Sequence, residues 1–277
     1  MGKTVNNTKP GVSAMAKIEP HLLVLLTAMA GVVTTLSASQ LTIRSGLADY
    51  QVFQRDANGN ATITFSGTLD NGASGHVECR VIAQLTGGAV RDWHQVGACR
   101  RGQMQATLAP LPTGGPYEVQ VRVVTPNGGV LAEQQVRHVL VGDLWVLAGQ
   151  SNMQGIGELR GAEEPSVLVN SYGFDERWSL AADPLHWLLD SPDPVHHSGL
   201  SPQELAKARA SAKRDPQTGA GLALPFAKEL VARTGVPIGL VPCAHGGTSM
   251  EQWDPAKRDQ GGASLYGSMY RRFRAVG

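Results

Sequence analysis

The sequence predicts a mixed fold, a β-sandwich followed by an α/β domain with a parallel sheet, and three observations carry that expectation. Between about Gln40 and Val141 apolar residues recur at every second position, the period of half-buried strands. After Gly142 the pattern changes to continuous apolar runs, with one stretch at helical spacing between them. The 33 glycines and 16 prolines, against few aromatics, suit a turn-rich β or α/β protein better than a helical bundle.

Residues 1–39 read as an address rather than as part of the fold. Lys3, Lys9 and Lys17 precede the apolar segment Leu22–Val33, small residues follow, and the next acidic residue is Asp49. That order resembles a secretory signal peptide cleaved near Ser39, and the apolar core is short for a membrane span. Export to the periplasm or beyond is the expectation, with no stable membrane insertion after cleavage. A buried core helix or a single membrane anchor is the alternative reading.

In the region 40–141, Ala61, Ile63 and Phe65 alternate with threonines. Tyr117, Val119, Val121 and Val123 alternate with Glu118, Gln120 and Arg122. Turn signals such as DANGN, LDNGASG, LPTGGP and TPNGG separate these runs at the intervals of an antiparallel sandwich. Cys79 shares a face with Val77 and Val81. A bond to Cys99 in an oxidising compartment is feasible if Cys99 lies on a facing strand; otherwise these two and Cys243 are buried thiols.

The region 142–277 opens on the apolar run LWVLAG and continues, after a long polar excursion over about 158–219, with GLALPFAKELVARTG. Pro225 is tolerable in a first helical turn, Phe226 and Leu230 share a face, and Gly235 is the stop signal. The apolar run VPIGLVPCA follows, so strand, helix and strand call for parallel pairing through a right-handed crossover. Ligands collect at the carboxyl ends of such strands, and both GQSN and AHGGTS sit there.

Ser151 at a strand end is either a helix N-cap or a nucleophile whose turn exposes its oxygen. Acyl transfer needs a base for the serine proton and donors for the oxyanion. Backbone N–H groups near Ser151, Gly246 and Gly247 are suited to the second task. The motif is not a G-x-S-x-G elbow, because Met153 replaces the second glycine, and no lysine follows as in a phosphate loop. A net charge of +1 supplies no field for nucleic acid.

GDLWVLAGQSNMQG together with GLVPCAHGGTSMEQW resembles the sialate O-acetylesterase-like branch of the SGNH (GDSL-type) hydrolases, which remove acetyl groups from sugars. Upstream, LADYQVFQRDANGNATITFSG and LPTGGPYEVQVRV are similar to the β-domain of those esterases. The resemblance implies that residues 142–277 are the first part of a three-layer, flavodoxin-like SGNH domain. It implies Ser151 as nucleophile, with the oxyanion held by its own N–H and by the turn at Gly246 and Gly247. Gln150 and Asn152 would shape the nucleophile turn. Thr248, Ser249, Glu251 and Trp253 would hold the second turn or line the acyl pocket. The position of His245 at a strand end, read from the residues themselves, favours substrate contact or loop support over proton transfer.

Two family features are not matched: a later W-Y-Q-G-E-like turn and a closing Asp-x-x-His segment that brings base and carboxylate. The chain is therefore expected to be an N-terminal fragment that lacks them, weakly active, with an exposed apolar face around Leu240 and Val241. His186, His196, His197 and His245 are poor substitutes for the base. His196 and His197 with Asp190 and Asp193 lack the spacing of a metal site, so neither metal nor cofactor is predicted. Tyr172, Trp178 and Trp187 form either a sugar-stacking wall or core packing. The function expected is a carbohydrate O-acetylesterase acting on an acetylated sugar. An acetylxylan or other polysaccharide acetylesterase is the enzymatic alternative, and a non-catalytic carbohydrate-binding or structural fragment the other.

Overall fold

The computed structural model describes residues 39–214 and 216–277. The proposed signal segment, but for Ser39, lies outside the described residues. Eight strands come first: β1 (Leu41–Ser45), β2 (Val52–Gln54), β3 (Asn60–Leu69), β4 (Gly75–Ala83), β5 (Ala89–Arg100), β6 (Gln103–Pro112), β7 (Gly114–Val124) and β8 (Val130–Leu147). They pair antiparallel in the order β1-β3-β6-β5-β4-β7-β8, and β2 lies parallel to β8.

The alternation read from sequence holds in space. Ala61, Ile63 and Phe65, then Val77, Cys79 and Val81, then Tyr117, Val119, Val121 and Val123 all point into one core. Leu41 of β1 and Val136 and Val139 of β8, the first and last strands of this order, join the same cluster, so the sheet curls around it. Their removal from water is the main source of this region's stability.

The disulfide expectation is corrected. Cys79 pairs with His94 and Cys99 with Gly75 on the adjacent strands β4 and β5, so the two cysteines are four ladder positions apart. At about 3.4 Å per residue that is roughly 13 Å, too far for a bridge. All three thiols are free and buried, and burial pushes Cys79 up to about 12.

The second part comprises α1 (Ser151–Gln154), β9 (Gly157–Glu158), β10 (Val169–Tyr172), β11 (Trp178–Leu180), α2 (Pro202–Arg214), β12 (Thr218–Ala220), α3 (Ala223–Thr234), β13 (Ile238–Pro242) and α4 (Leu265–Val276). The expected strand, helix and strand are β8, α3 and β13, and the two strands pair directly and in parallel from Asp143↔Ile238 to Leu147↔Pro242. Gly235 closes α3 in the left-handed conformation at φ 68°.

The face of α3 differs from expectation, with Ala223, Leu224 and Ala227 buried. Phe226 sits outside, edge-on to an exposed Trp145 with ring centroids 5.1 Å apart. Small residues face the sheet because the helix lies close against it.

Sequence reasoning also missed β10 inside the polar excursion. Its residues Val169, Asn170, Ser171 and Tyr172 are all buried, yet two are polar, so no apolar run marks it. It pairs parallel to β13 on the side away from β8. Leu240 and Val241 are fully buried, which overturns the exposed face expected there. Leu240 packs toward α3, and Val241 packs with Cys243 toward Met269 and Val276 of α4.

The antiparallel and the parallel region share one long strand. Hydrogen bonding runs without a break from β1 through β8 and β13 to β10 and β11. β8 pairs with β7 over its first part and with β13 over its last, so one strand serves both regions. It passes through Gly142, where a side-chain carbon would lie 1.9 Å from the carbonyl oxygen of Pro237. That oxygen accepts from the N–H of Asp143 at 3.0 Å.

Gly142→Ala is therefore expected to force β8 and β13 apart. The cost should be at least the 1–3 kcal/mol typical of overpacking, about that size or larger because a backbone atom is the obstacle. Urea unfolding checks this, with Gly88→Ala as the control; there the nearest atom to an added carbon is a side-chain oxygen 3.5 Å away. Equal midpoints for the two variants would contradict the close approach.

Candidate active site

β8 ends at Leu147, and the chain turns through Ala148, Gly149 and Gln150 into α1, so Ser151 stands at the carboxyl end of the strand. The segment after β13 follows the same path beside it. Cys243 N–H donates to Leu147 O at 3.0 Å and His245 N–H to Gly149 O at 3.0 Å. The ladder brings Gly246 against α1. A side-chain carbon on Gly246 would lie 3.3 Å from Ser151 Oγ and 3.1 Å from Gln154 Oε1, so only glycine leaves this gap open.

Ser151 and Gly246, distant in sequence, are thus neighbours. The N–H of Gly246 donates to Gln154 Oε1 at 2.6 Å, while among the described residues the N–H groups of Ser151 and Gly247 have no acceptor. Gln154, which sequence reasoning did not single out, occupies the donor of one glycine and leaves Gly247 as the glycine with a free N–H. In GQSNMQG it lies one helical turn after Ser151 and so on the same face, but nothing local in the sequence points from it to Gly246.

The other expected residues build the second turn. Thr248 Oγ1 donates to His245 O at 2.7 Å and accepts from Trp253 Nε1 at 3.0 Å. Gln150 Nε2 donates to Thr248 O at 3.1 Å, tying the two turns together. Ser249 forms a capping box with Gln252 over the 3-10 turn Met250–Trp253. Glu251 lies on that turn and is exposed, as is Asn152, which makes no side-chain bond among the described residues. Gly149, Gln150, Thr248 and Trp253, with Tyr266 and Met269 of α4, line an open groove of about 300 Å³.

No imidazole or carboxylate among the described residues is within hydrogen-bond reach of Ser151 Oγ. The spacing Asp-x-x-His does occur at Asp193–His196, which sequence reasoning passed over, but the structure directs it elsewhere. His196 Nδ1 lies 3.2 Å from His245 Nδ1, and His196 Nε2 lies 3.0 Å from Ser268 Oγ. Ser268 donates to Asp193 Oδ2 at 2.5 Å, and Arg271 donates to the same oxygen at 2.8 Å. Burial pushes the Asp193 carboxyl up, but the bonds from Arg271 and Ser268 and the Arg271 charge bring it below its ordinary value.

His186 and His196 are buried. Burial lowers His186 to about 4, partly offset by the backbone carbonyls of Leu147 and Gln154. Burial and the neighbouring His245 lower His196 to about 3 despite Asp193. His197 is bound to Ser191 O at 3.1 Å.

The aromatics of the excursion divide. Tyr172 and Trp178 pack together in the core with ring centroids 5.4 Å apart, while Trp187 lines a surface pocket under Lys213. Arg272 is wholly buried beneath Tyr172 and Phe174, donating to the carbonyls of Pro242, Tyr172 and Gly173. Among the described residues no helix is long and apolar enough to cross a membrane.

Residues 141–277 match the family model for carbohydrate esterases described as sialic acid-specific acetylesterase. A carbohydrate acetylesterase from Xanthomonas citri is 24% identical over 86% of this chain and 49% of its own, with a TM-score of 0.44. A protein of Arabidopsis thaliana is 26% identical over 48% of this chain and 50% of its own, at 0.32. A multi-modular, cell-surface-expressed chitinase from a Paenibacillus species is 10% identical over 89% of this chain and 20% of its own, at 0.29. The chain spans about half the length of the first two. No protein of curated function matches it.

Acid should unfold this structure early. The unfolded chain protonates its histidines near pH 6.5, whereas folded His186 and His196 resist until about 4 and 3. Between those values the unfolded state binds more protons, so stability is lost as the pH is lowered. At about 1.4 kcal/mol per unit, the two groups together amount to several kcal/mol, on the order of half a typical domain's stability. Urea midpoints at pH 7.5, 6 and 4.5 check this, and a flat profile would mean that neither imidazole is held neutral.

Proposed function

We propose that this chain, whose residues 141–277 belong to the sialic acid-specific acetylesterase family of carbohydrate esterases, carries the nucleophile end of a carbohydrate O-acetylesterase site, with Ser151 as the attacking group. The observation that supports this most directly is the meeting of two strand-end turns, which sets the gap at Gly246 beside Ser151 Oγ. An acetyl carbonyl entering there would meet the hydroxyl on one side and the free N–H groups of Ser151 and Gly247 as oxyanion donors. Attack by Oγ on the carbonyl carbon would expel the sugar alcohol and leave acetyl-Ser151, and water would then release acetate. Residues 142–277 are read as an SGNH-type three-layer domain and 40–141 as its companion β-domain. Sialic acid is the sugar the family description favours, with acetylated xylan the alternative. Export belongs to the same proposal and rests on the lysine-flanked apolar segment before Gln40.

The reaction also needs a base, and Ser151 Oγ has none within reach among the described residues. The 277-residue polypeptide is therefore expected to release acetate slowly from 9-O-acetylated sialic acid or acetylated xylan, near the level that oxyanion donors and binding alone supply. Added imidazole should raise the rate by replacing the base. The increment over the imidazole blank should vanish in Ser151→Ala. Rescue that persists in Ser151→Ala would remove Ser151 from the mechanism, and the better substrate of the two identifies the sugar.

A further inference from the structure

The chain of polar contacts behind the candidate site has a direction fixed by its donors and acceptors. Asp193 is buried, holds its charge against Arg271, and can only accept. Ser268, also buried, therefore gives its one proton to Asp193 and must accept from His196 Nε2. A neutral His196 protonated on Nε2 has a bare Nδ1, which must accept from His245 Nδ1, 3.2 Å away. His245 is thereby protonated on Nδ1 and bare on Nε2. That nitrogen has no partner among the described residues, and the side chain is only half-buried. The ring is also fixed in orientation, stacked on His196 with centroids 5.2 Å apart, while His196 rests edge-on to Phe174 at 4.9 Å.

Its backbone adjoins the nucleophile turn. His245 N–H is bound to Gly149 O, and the next residue is the glycine that meets Ser151.

We propose that His245 contacts substrate, its bare Nε2 accepting a hydrogen bond from a hydroxyl of the acetylated sugar held at Ser151, and that Asp193, Ser268 and His196 are positioning residues that lock this tautomer. The proposal rests on the esterase reading for its ligand but not for its relay. A bare, oriented imidazole nitrogen selects a hydroxyl donor over an ether or a carbonyl, so it favours a polyhydroxylated ligand over a simple ester. Holding the ring in place beforehand removes the ordering cost that a free side chain would add.

The test is nitrogen-15 NMR of histidine-labelled full-length protein at neutral pH, where long-range proton correlations identify the protonated ring nitrogen. His245 is expected to carry its proton on Nδ1 and His196 on Nε2. Ser268→Ala should turn the His245 signal into a tautomer mixture, and Ser268→Thr, which keeps the hydroxyl, should preserve it. A His245 protonated on Nε2 in the native chain overturns the proposal, as does a His245 signal indifferent to Ser268→Ala. The native-chain spectrum decides the tautomer by itself should Ser268→Ala not fold.

For the ligand, a mono-O-acetylated methyl glycoside is titrated into Ser151→Ala protein. Joint movement of the His245 Nε2 signal and the Gly247 amide supports the contact. Movement of Gly247 alone overturns it while leaving the esterase reading intact, and movement of neither overturns both.

Discussion

The contact on which the second half of this protein depends is the approach of the Pro237 carbonyl to the bare backbone of Gly142. Because nothing stands between them, β13 can begin its parallel ladder with β8 while β8 is still paired on its other flank. From that register the remaining placements follow. Five paired positions carry both strands to their carboxyl ends together, and the continuing bonds to Leu147 and Gly149 deliver Gly246 to Ser151. The site is thus assembled by strand register, and a slip of one residue would turn every side chain of the strand to the opposite face.

Further contacts make the register hard to slip. Arg55 after β2 grips Asp143 through two bonds of 2.9 and 3.0 Å, and Gln54 accepts from the N–H of Leu144. Asn170 of β10, fully buried, donates to Tyr50 O at 2.7 Å. These polar ties cross between the antiparallel region and the parallel one. Loss of the Asn170 tie would leave a buried amide unpaired, whereas the Arg55–Asp143 pair and the Gln54 bond are partly open to water and contribute less.

Sequence periodicity was a good guide wherever one face of an element is apolar. It located the strands around Phe65, Val77 and Val121 and the helix ending at Gly235. It failed at β10, where Asn170 and Ser171 are buried but polar, and at Trp145, an apolar residue in an apolar run that lies exposed. Hydrophobicity reports the transfer of a side chain from water; it carries no record of which neighbour satisfies a buried amide.

For the candidate site, the turns at Ser151 and at Gly246–Gly247 were legible as strand-end turns because each follows an apolar run; a serine there can equally cap a helix, so its expected role came from the resemblance. The engagement of Gly246 by Gln154, and the path from His245 to Asp193, were not legible. Both join residues from separate turns or elements, so no local spacing encodes them.

The length of β8 has a mechanical meaning. Its eighteen residues make one continuous beam, bent at His138 where φ is 59°, and clamped by hydrogen bonds first to β7 and then to β13. Two modules joined by a glycine- or proline-rich tether would wander relative to each other and sample many orientations. Here a swing between the curled sheet and the crevice would have to shear backbone hydrogen bonds along that beam. The two should tumble in solution as a single solid, with one rotational correlation time.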